Sequence, residues 1–176
     1  LKAGATIGIL GSGQLGRMLA IAAAKLGYRT HIYADVSGPA FDVAAQHTIA
    51  PYEDLGRMTA FANTVDVVTY EFENVPLGAA AAAQTATEVR PNPRALAVAH
   101  ARLVDIRFID DLSIPVPAFA QIDTATDLKA ALTTIGTPAI LKTCRFGYDG
   151  KGQSRITSAK GADWALEAIG GAPAIL

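Results

Sequence analysis

An α/β fold built on a parallel sheet follows from three features of the 176-residue sequence: short apolar runs, helix-length segments alternating with them, and a glycine-rich turn after the first run. Residues 5–10 form that first run, which breaks into Gly11-Ser12-Gly13-Gln14-Leu15-Gly16 and then into a helical pattern. Leu15, Met18, Leu19, Ala22 and Leu26 recur at three- and four-residue intervals, which predicts that this stripe packs on a sheet; Gly27 offers a left-handed stop. Residues 29–33 resume a strand, completing a βαβ unit for which parallel strands and a right-handed crossover are the default. Further strands are expected at 48–49, 65–70 and 88–90, with helix-length segments around 54–62 and 75–84. A Rossmann-like parallel-sheet domain over residues 1–92, with helices on both faces, ends at Pro91-Asn92-Pro93.

A linking helix is predicted next, in residues 93–114, with Leu96, Ala99, Leu103, Ile106 and Ile109 or Asp110 on its apolar stripe; residues 113–117 stop it. A second, smaller α+β set fills 115–176. It comprises a strand at 118–122, a helix at 126–135 with Asp123 or Thr124 as N-cap, a strand at 139–143, a glycine-rich loop, a strand at 154–156 and a short helix at 163–169 packed by Trp164.

Composition narrows the function classes. Fifteen basic against sixteen acidic side chains leave no electrostatic footprint for nucleic acid or an anionic membrane. No apolar stretch approaches the roughly 18–20 residues of a spanning helix. The single cysteine, Cys144, excludes an internal disulfide framework and points to a reducing, cytoplasmic setting. The sequence begins at Leu1 and stops at Leu176 as an apolar segment starts, so both ends read as cut.

Three motifs carry chemistry. Gly11-Ser12-Gly13-Gln14-Leu15-Gly16 matches G-x-G-x-x-G between strand and helix, and Asp35 follows at the end of the next strand. There the helix N-terminus could take a phosphate and the acid a ribose, which suggests NAD; a plain strand-to-helix turn is the structural alternative. Thr69-Tyr70-Glu71-Phe72-Glu73-Asn74 puts Glu71 at the carboxyl end of a strand, where open parallel sheets bind ligands and where it could equally be solvated. Lys142 ends an apolar strand five residues before Gly147, so its charge and the flexible loop Gly147-Tyr148-Asp149-Gly150-Lys151-Gly152-Gln153 can converge on a polyphosphate, with Lys151 swinging in on closure. The loop lacks the G-K-[ST] ending of a Walker A motif. His31, His47 and His100 are scattered without metal spacing and read as structural, so no metal ligands are assigned; Cys144, near Arg145, reads as a packed thiol.

Taken together, residues 11–18, the stretch 69–76, Leu141-Lys142-Thr143 and residues 146–153 resemble the 5-(carboxyamino)imidazole ribonucleotide synthetases, ATP-grasp ligases of purine biosynthesis. The resemblance implies a pre-ATP-grasp domain followed by most of the central ATP-grasp subdomain. It implies ATP-dependent carboxylation of aminoimidazole ribonucleotide by bicarbonate, and a homodimer when full length. By position it also implies that Gln14, Leu15 and Glu71 contact the ribonucleotide. Arg102, Lys142 and Gly147, Tyr148, Asp149, Gly150, Lys151, Gly152 and Gln153 contact ATP, with Tyr148 and Lys151 the candidates for a catalytic role. Magnesium would be held by ligands beyond Leu176, so the segment alone is expected to be inactive. Ala101 and Ile106 depart from the family pattern, which usually has an aspartate and a lysine there, and Arg107 lies one position further round the helix. An NAD-dependent oxidoreductase and a non-catalytic binding or dimerisation module are the rival readings.

Overall fold

The structure, a computed structural model, describes residues 1–147 and 150–176. It divides into two units, Leu1–Ala97 and Val98–Leu176. Among the described residues no helix is long and apolar enough to cross a membrane.

The first unit alternates strand and helix: β1 (Thr6–Leu10), α1 (Gln14–Lys25), β2 (Arg29–Ala34), β3 (Gln46–Ile49), α2 (Leu55–Ala62), β4 (Val67–Tyr70), α3 (Leu77–Gln84) and α4 (Pro93–Ala99), the last spanning the boundary between units. The four strands form one parallel sheet in the order β3-β2-β1-β4. One apolar cluster lies under α2 and α3 and includes Leu10, Tyr33, Met58, Phe61 and Val68; a smaller one joins Ile9, Ile32 and Ala20 of α1. Residues 88–90 add one parallel bridge, Val68 to Val89, rather than a strand.

Helix α1 packs the other way round from the expected stripe. Gly16, Ala20 and Ala23 are its buried residues, while Leu15, Met18, Leu19, Ala22 and Leu26 are exposed. Both faces carry apolar residues at helical spacing, and the small one lets the helix backbone lie close to the sheet.

The second unit holds α5 (Arg102–Asp111), β5 (Gln121–Ile122), α6 (Ala125–Ile135), β6 (Ala139–Thr143), β7 (Gln153–Ile156), α7 (Ala162–Ala168) and β8 (Ala174–Ile175). Its sheet is antiparallel, in the order β5-β8-β6-β7. The single predicted helix over 93–114 is two, because Ala101 is extended and the Arg102 N–H donates to the Cys144 carbonyl (2.8 Å) instead of continuing a helix. Of the expected stripe, Leu96 is buried, Leu103, Ile106 and Ile109 are half-buried, and Ala99 and Asp110 are exposed. The strand expected at 118–122 shrinks to two residues. Trp164 is 65% exposed; Ala162 and Ala165 bury α7 in its place. Thr124 proves to be the cap of α6: its hydroxyl accepts from the Asp127 N–H, and the Asp127 carboxylate accepts from the Thr124 N–H and hydroxyl, completing a capping box. That hydroxyl bond holds the Asp127 carboxyl below its ordinary range.

His31 ties the first sheet together. Its Nε2 meets Thr48 Oγ1 at 2.8 Å and its Nδ1 meets Thr64 Oγ1 at 3.0 Å. Burial, then the neighbouring His47, pushes its pKa below the ordinary 6.5. The unfolded chain therefore takes up this proton more readily than the fold, so the stability associated with neutral His31 is intact above 6.5 and lost as pH falls below it. The unfolding free energy from urea titrations down a pH series should decline through this window, by at most about 1.4 kcal/mol per pH unit for one proton, and the decline should be shallower in His31→Gln.

Candidate functional site

The first glycine turn is filled by the protein itself. Strands β1 and β4 are adjacent and parallel, with Leu10 opposite Tyr70, so their carboxyl ends reach the same edge of the sheet. One residue on, the Glu71 N–H donates to the Leu10 carbonyl (3.1 Å), which sets the Glu71 side chain against the turn. Glu71 Oε1 accepts from the Gly13 N–H at 2.7 Å, and Oε2 accepts from the Gly16 N–H. Gly13 is the N-cap of α1 and has no capping side chain of its own; the carboxylate from β4 satisfies two of the helix's orphan donors and lies at the positive end of its dipole.

The glycines are required by that carboxylate. A Cβ on Gly13 would lie 2.8 Å from Glu71 Oε1, one on Gly16 would lie 2.9 Å from Oε2, and one on Gly11 would run into the Glu71 stem. The other side of the turn is pinned as well. Ser12 Oγ donates to the Val36 carbonyl (2.9 Å), and the Ser12 carbonyl accepts from the Ala40 N–H (3.0 Å). Burial, with the Asp35 and Glu71 carboxylates nearby, pushes the Tyr52 phenol well up, so it stays protonated. The expectation of a phosphate on this helix N-terminus is therefore corrected: the donors it would use at Gly13 and Gly16 already hold an anion. Gln14 and Leu15 lie exposed at the first turn of α1, beside Glu71 in the fold.

The second glycine turn gathers most of the predicted nucleotide residues. Lys142 lies in the middle of its sheet, opposite Gln153 of β7 on one side and Ile175 of β8 on the other. The Arg102 N–H bond to Cys144 fixes the start of α5 beside the end of β6. As a result Arg102 and Lys142 line two adjoining hollows. One, of about 450 Å³, is walled mainly by apolar side chains including Ile106, Phe119, Ile140 and Ile175. The other, of about 110 Å³, is a polar cup of Thr143, Gly147, Gly150, Lys151, Gly152 and Gln153. Tyr148 and Asp149 lie outside the described residues.

The base of the loop is closed by the Thr143 N–H donating to the Gly152 carbonyl (2.8 Å). Gly152 has φ +67°, and a Cβ there would lie 2.5 Å from Thr143 Oγ1. That hydroxyl is buried and has no hydrogen-bond partner among the described residues. Thr143 and the apolar wall escaped the sequence reasoning, because only the strand and loop order brings them to Lys142; the run Leu141-Lys142-Thr143 was the available signal. Ile106, a departure from the family pattern, is an apolar wall residue. Arg107 points elsewhere, donating to Gln121 Oε1 at 3.1 Å. Cys144 is half-buried and burial pushes its thiol up, while Arg145 lies over the Phe146 ring at 4.7 Å. Among the described residues no group of three or more His, Cys, Asp or Glu could hold a metal ion.

Comparison with known proteins agrees with this geometry. The model of the ribonucleotide synthetase preATP-grasp domain matches residues 4–100, more than half the chain. The chain belongs to the ribonucleotide synthetase preATP-grasp family. An ATP-grasp domain model matches residues 107–176 of this family member. N5-carboxyaminoimidazole ribonucleotide synthase of Brucella melitensis is 44% identical over 179 residues, covering all of this chain and 49% of that protein. N5-carboxyaminoimidazole synthetase of Staphylococcus aureus, solved with ADP, superposes with a TM-score of 0.93 at 32% identity, over 99% of this chain and 47% of the other. The synthase of Aspergillus clavatus, solved with ADP and 5-aminoimidazole ribonucleotide, gives a TM-score of 0.86 at 25% identity, over 98% and 46%. The preATP-grasp chain thus spans about half the length of the relatives it matches.

Gly13→Ala and Glu71→Ala test the filled turn as a pair. Gly13 has an ordinary negative φ, so its alanine variant suffers only from the carboxylate. Denaturant unfolding of both single variants and the double should give a non-additive coupling of about 0.5–3 kcal/mol, the double being less destabilised than the sum of the two.

Proposed function

We propose that this chain supplies the ribonucleotide-binding domain and the first part of the nucleotide clamp of an ATP-grasp ligase that carboxylates 5-aminoimidazole ribonucleotide. The observation that carries this reading is the placement of Arg102 and Lys142, which line both an apolar hollow suited to a base and a polar cup suited to phosphates. The relatives solved with ADP and with 5-aminoimidazole ribonucleotide support it.

In the proposed reaction ATP phosphorylates bicarbonate. Carboxyphosphate, or the CO2 released from it, then carboxylates the exocyclic amine of the ribonucleotide, and ADP and phosphate leave. Phosphoryl transfer of this kind needs positioning and charge neutralisation more than a protein nucleophile. Lys142 and Arg102 are cations lining both hollows, Lys151 is a third on the loop, and the Thr143 hydroxyl is buried with no acceptor among the described residues. Closure of the glycine loop would shield a water-sensitive intermediate, with Tyr148 and Lys151 brought to the reacting groups. Magnesium chemistry belongs to this reading, and the described residues offer no cluster to hold the ion. Gln14, Leu15 and Glu71 are assigned to the ribonucleotide. Domain limits at 92 and 114, a homodimeric assembly and a cytoplasmic location go with the same proposal.

Isothermal titration of ADP into the chain tests the clamp. Lys142→Ala should weaken binding by roughly tenfold or more, about 1.4 kcal/mol per factor of ten. Unchanged affinity would remove Lys142 from the site. Thr143→Val, which keeps the shape and loses the hydroxyl, should also weaken ADP while leaving the urea midpoint nearly unchanged. The activity itself is tested in a protein of the relatives' full length carrying this sequence, in which ADP release should require both 5-aminoimidazole ribonucleotide and bicarbonate.

A further inference from the structure

Helices α5 and α6 are of nearly equal length and are secured very differently. Helix α6 has the Thr124–Asp127 capping box at its start, Gly136 at φ +87° at its end, and Leu128, Ala131 and Leu132 buried along one side. Helix α5 has none of these. Its N-cap is Ala101, which offers no side-chain bond, and it buries no residue. Val104, Phe108 and the C-cap Leu112 make an exposed apolar row, and the Arg107–Gln121 bond is exposed as well. The last turn works against the helix. Asp110 and Asp111 stand at the negative end of its dipole, and Ser113 takes the left-handed position after the C-cap, at φ +59°. There the Ser113 N–H donates to the Asp110 carbonyl (2.8 Å) and the Ile114 N–H to the Ile109 carbonyl (3.3 Å), the paired bonds of a Schellman turn, which favours glycine where this chain has serine. The start of α5 is held from outside, by the Cys144 carbonyl on the Arg102 N–H (2.8 Å) and the Cys144 thiol beside the Leu103 N–H. The helix therefore hangs from the end of β6. Arg102, at the point of suspension, lines both hollows, and Ile106 lies one turn on in the apolar wall.

We infer that Ala101 and Ser113 are positioning residues for nucleotide binding: they set the fraction of chains in which α5 is formed, and a nucleotide that engages Arg102 and Ile106 raises that fraction. This rests on the assignment of the two hollows to a nucleotide. Apparent affinity is the affinity of the formed state scaled by its population, so a residue that touches no ligand can set binding through that population. Ala101 and Ser113 line neither hollow. Each nevertheless weakens one end of a ten-residue helix that has no buried side chain to compensate, and a helix that short is marginal without tertiary support.

Amide hydrogen exchange and ADP titration of the unaltered chain, Ala101→Ser, Ser113→Gly and the double variant test this. Without ligand, the amides of residues 106–111 should exchange about tenfold or more faster than those of residues 129–135 in α6, and saturating ADP should slow them by about tenfold. Ala101→Ser supplies an uncharged cap, and Ser113→Gly relieves the left-handed residue. Each should slow α5 exchange without ligand and tighten ADP by about two- to fivefold, the double variant by more than either, with α6 exchange unchanged. A merely structural role would slow α5 exchange and leave ADP affinity as it is; that result would overturn the inference, and so would α5 amides as protected in the free chain as those of α6. ADP that binds without slowing α5 overturns it and leaves the nucleotide reading standing, whereas no ADP binding by any of the four proteins overturns both. Ser113 is exposed, so Ser113→Gly alone decides the matter should Ala101→Ser fail to fold.

Discussion

The carboxylate of Glu71 against the backbone of the first glycine turn is the interaction on which the N-terminal unit is organised. It needs β4 beside β1 in a register that brings Tyr70 opposite Leu10. It also needs three glycines where any side chain would collide, and a helix close enough to the sheet to offer its N-terminus. Each of these would be a modest preference alone. Charge-assisted hydrogen bonds at a helix terminus gain from both the ionic partner and the dipole, and they tie the end of one strand to the start of the helix that follows another.

The C-terminal unit reaches its site by a different route, through backbone bonds at the ends of β6. Arg102 is delivered by a break between two helices, and the loop after Thr143 is closed at its base by the Gly152 carbonyl. The fixed cations thus sit on regular structure while the glycines sit on a loop, a division suited to a ligand that must be gripped and then covered. The Thr143 hydroxyl, buried and without a hydrogen-bond partner among the described residues, lies where the strand and the glycine loop meet.

Much of this was legible in the sequence, for identifiable reasons. The alternation of apolar runs and helical segments has a short-range physical cause, and it located β1, α1, β2 and β6 closely. The Lys142 and glycine-loop cluster was legible because strand and loop are neighbours in the chain. What was hidden depends on contacts distant in sequence. Glu71 lies 58 residues from Gly13, so nothing local announces that one fills the other's turn. The direction of α1 was misread for a subtler reason: both faces carry apolar residues at helical spacing, and the packing chose the smaller ones. Trp164, expected to pack its helix, is displaced by two alanines for the same cause, the close approach of a short helix to a sheet.

The inverted seating of α1 has a consequence for how substitutions distribute along it. At Gly16, Ala20 and Ala23 there is no room to grow, whereas Leu15, Met18 and Leu19 are free to become polar as far as this fold is concerned. A saturation library across this helix would therefore sort by volume on one side and tolerate nearly anything on the other. The greasiest positions would be the permissive ones, the reverse of the rule by which core residues are usually picked out.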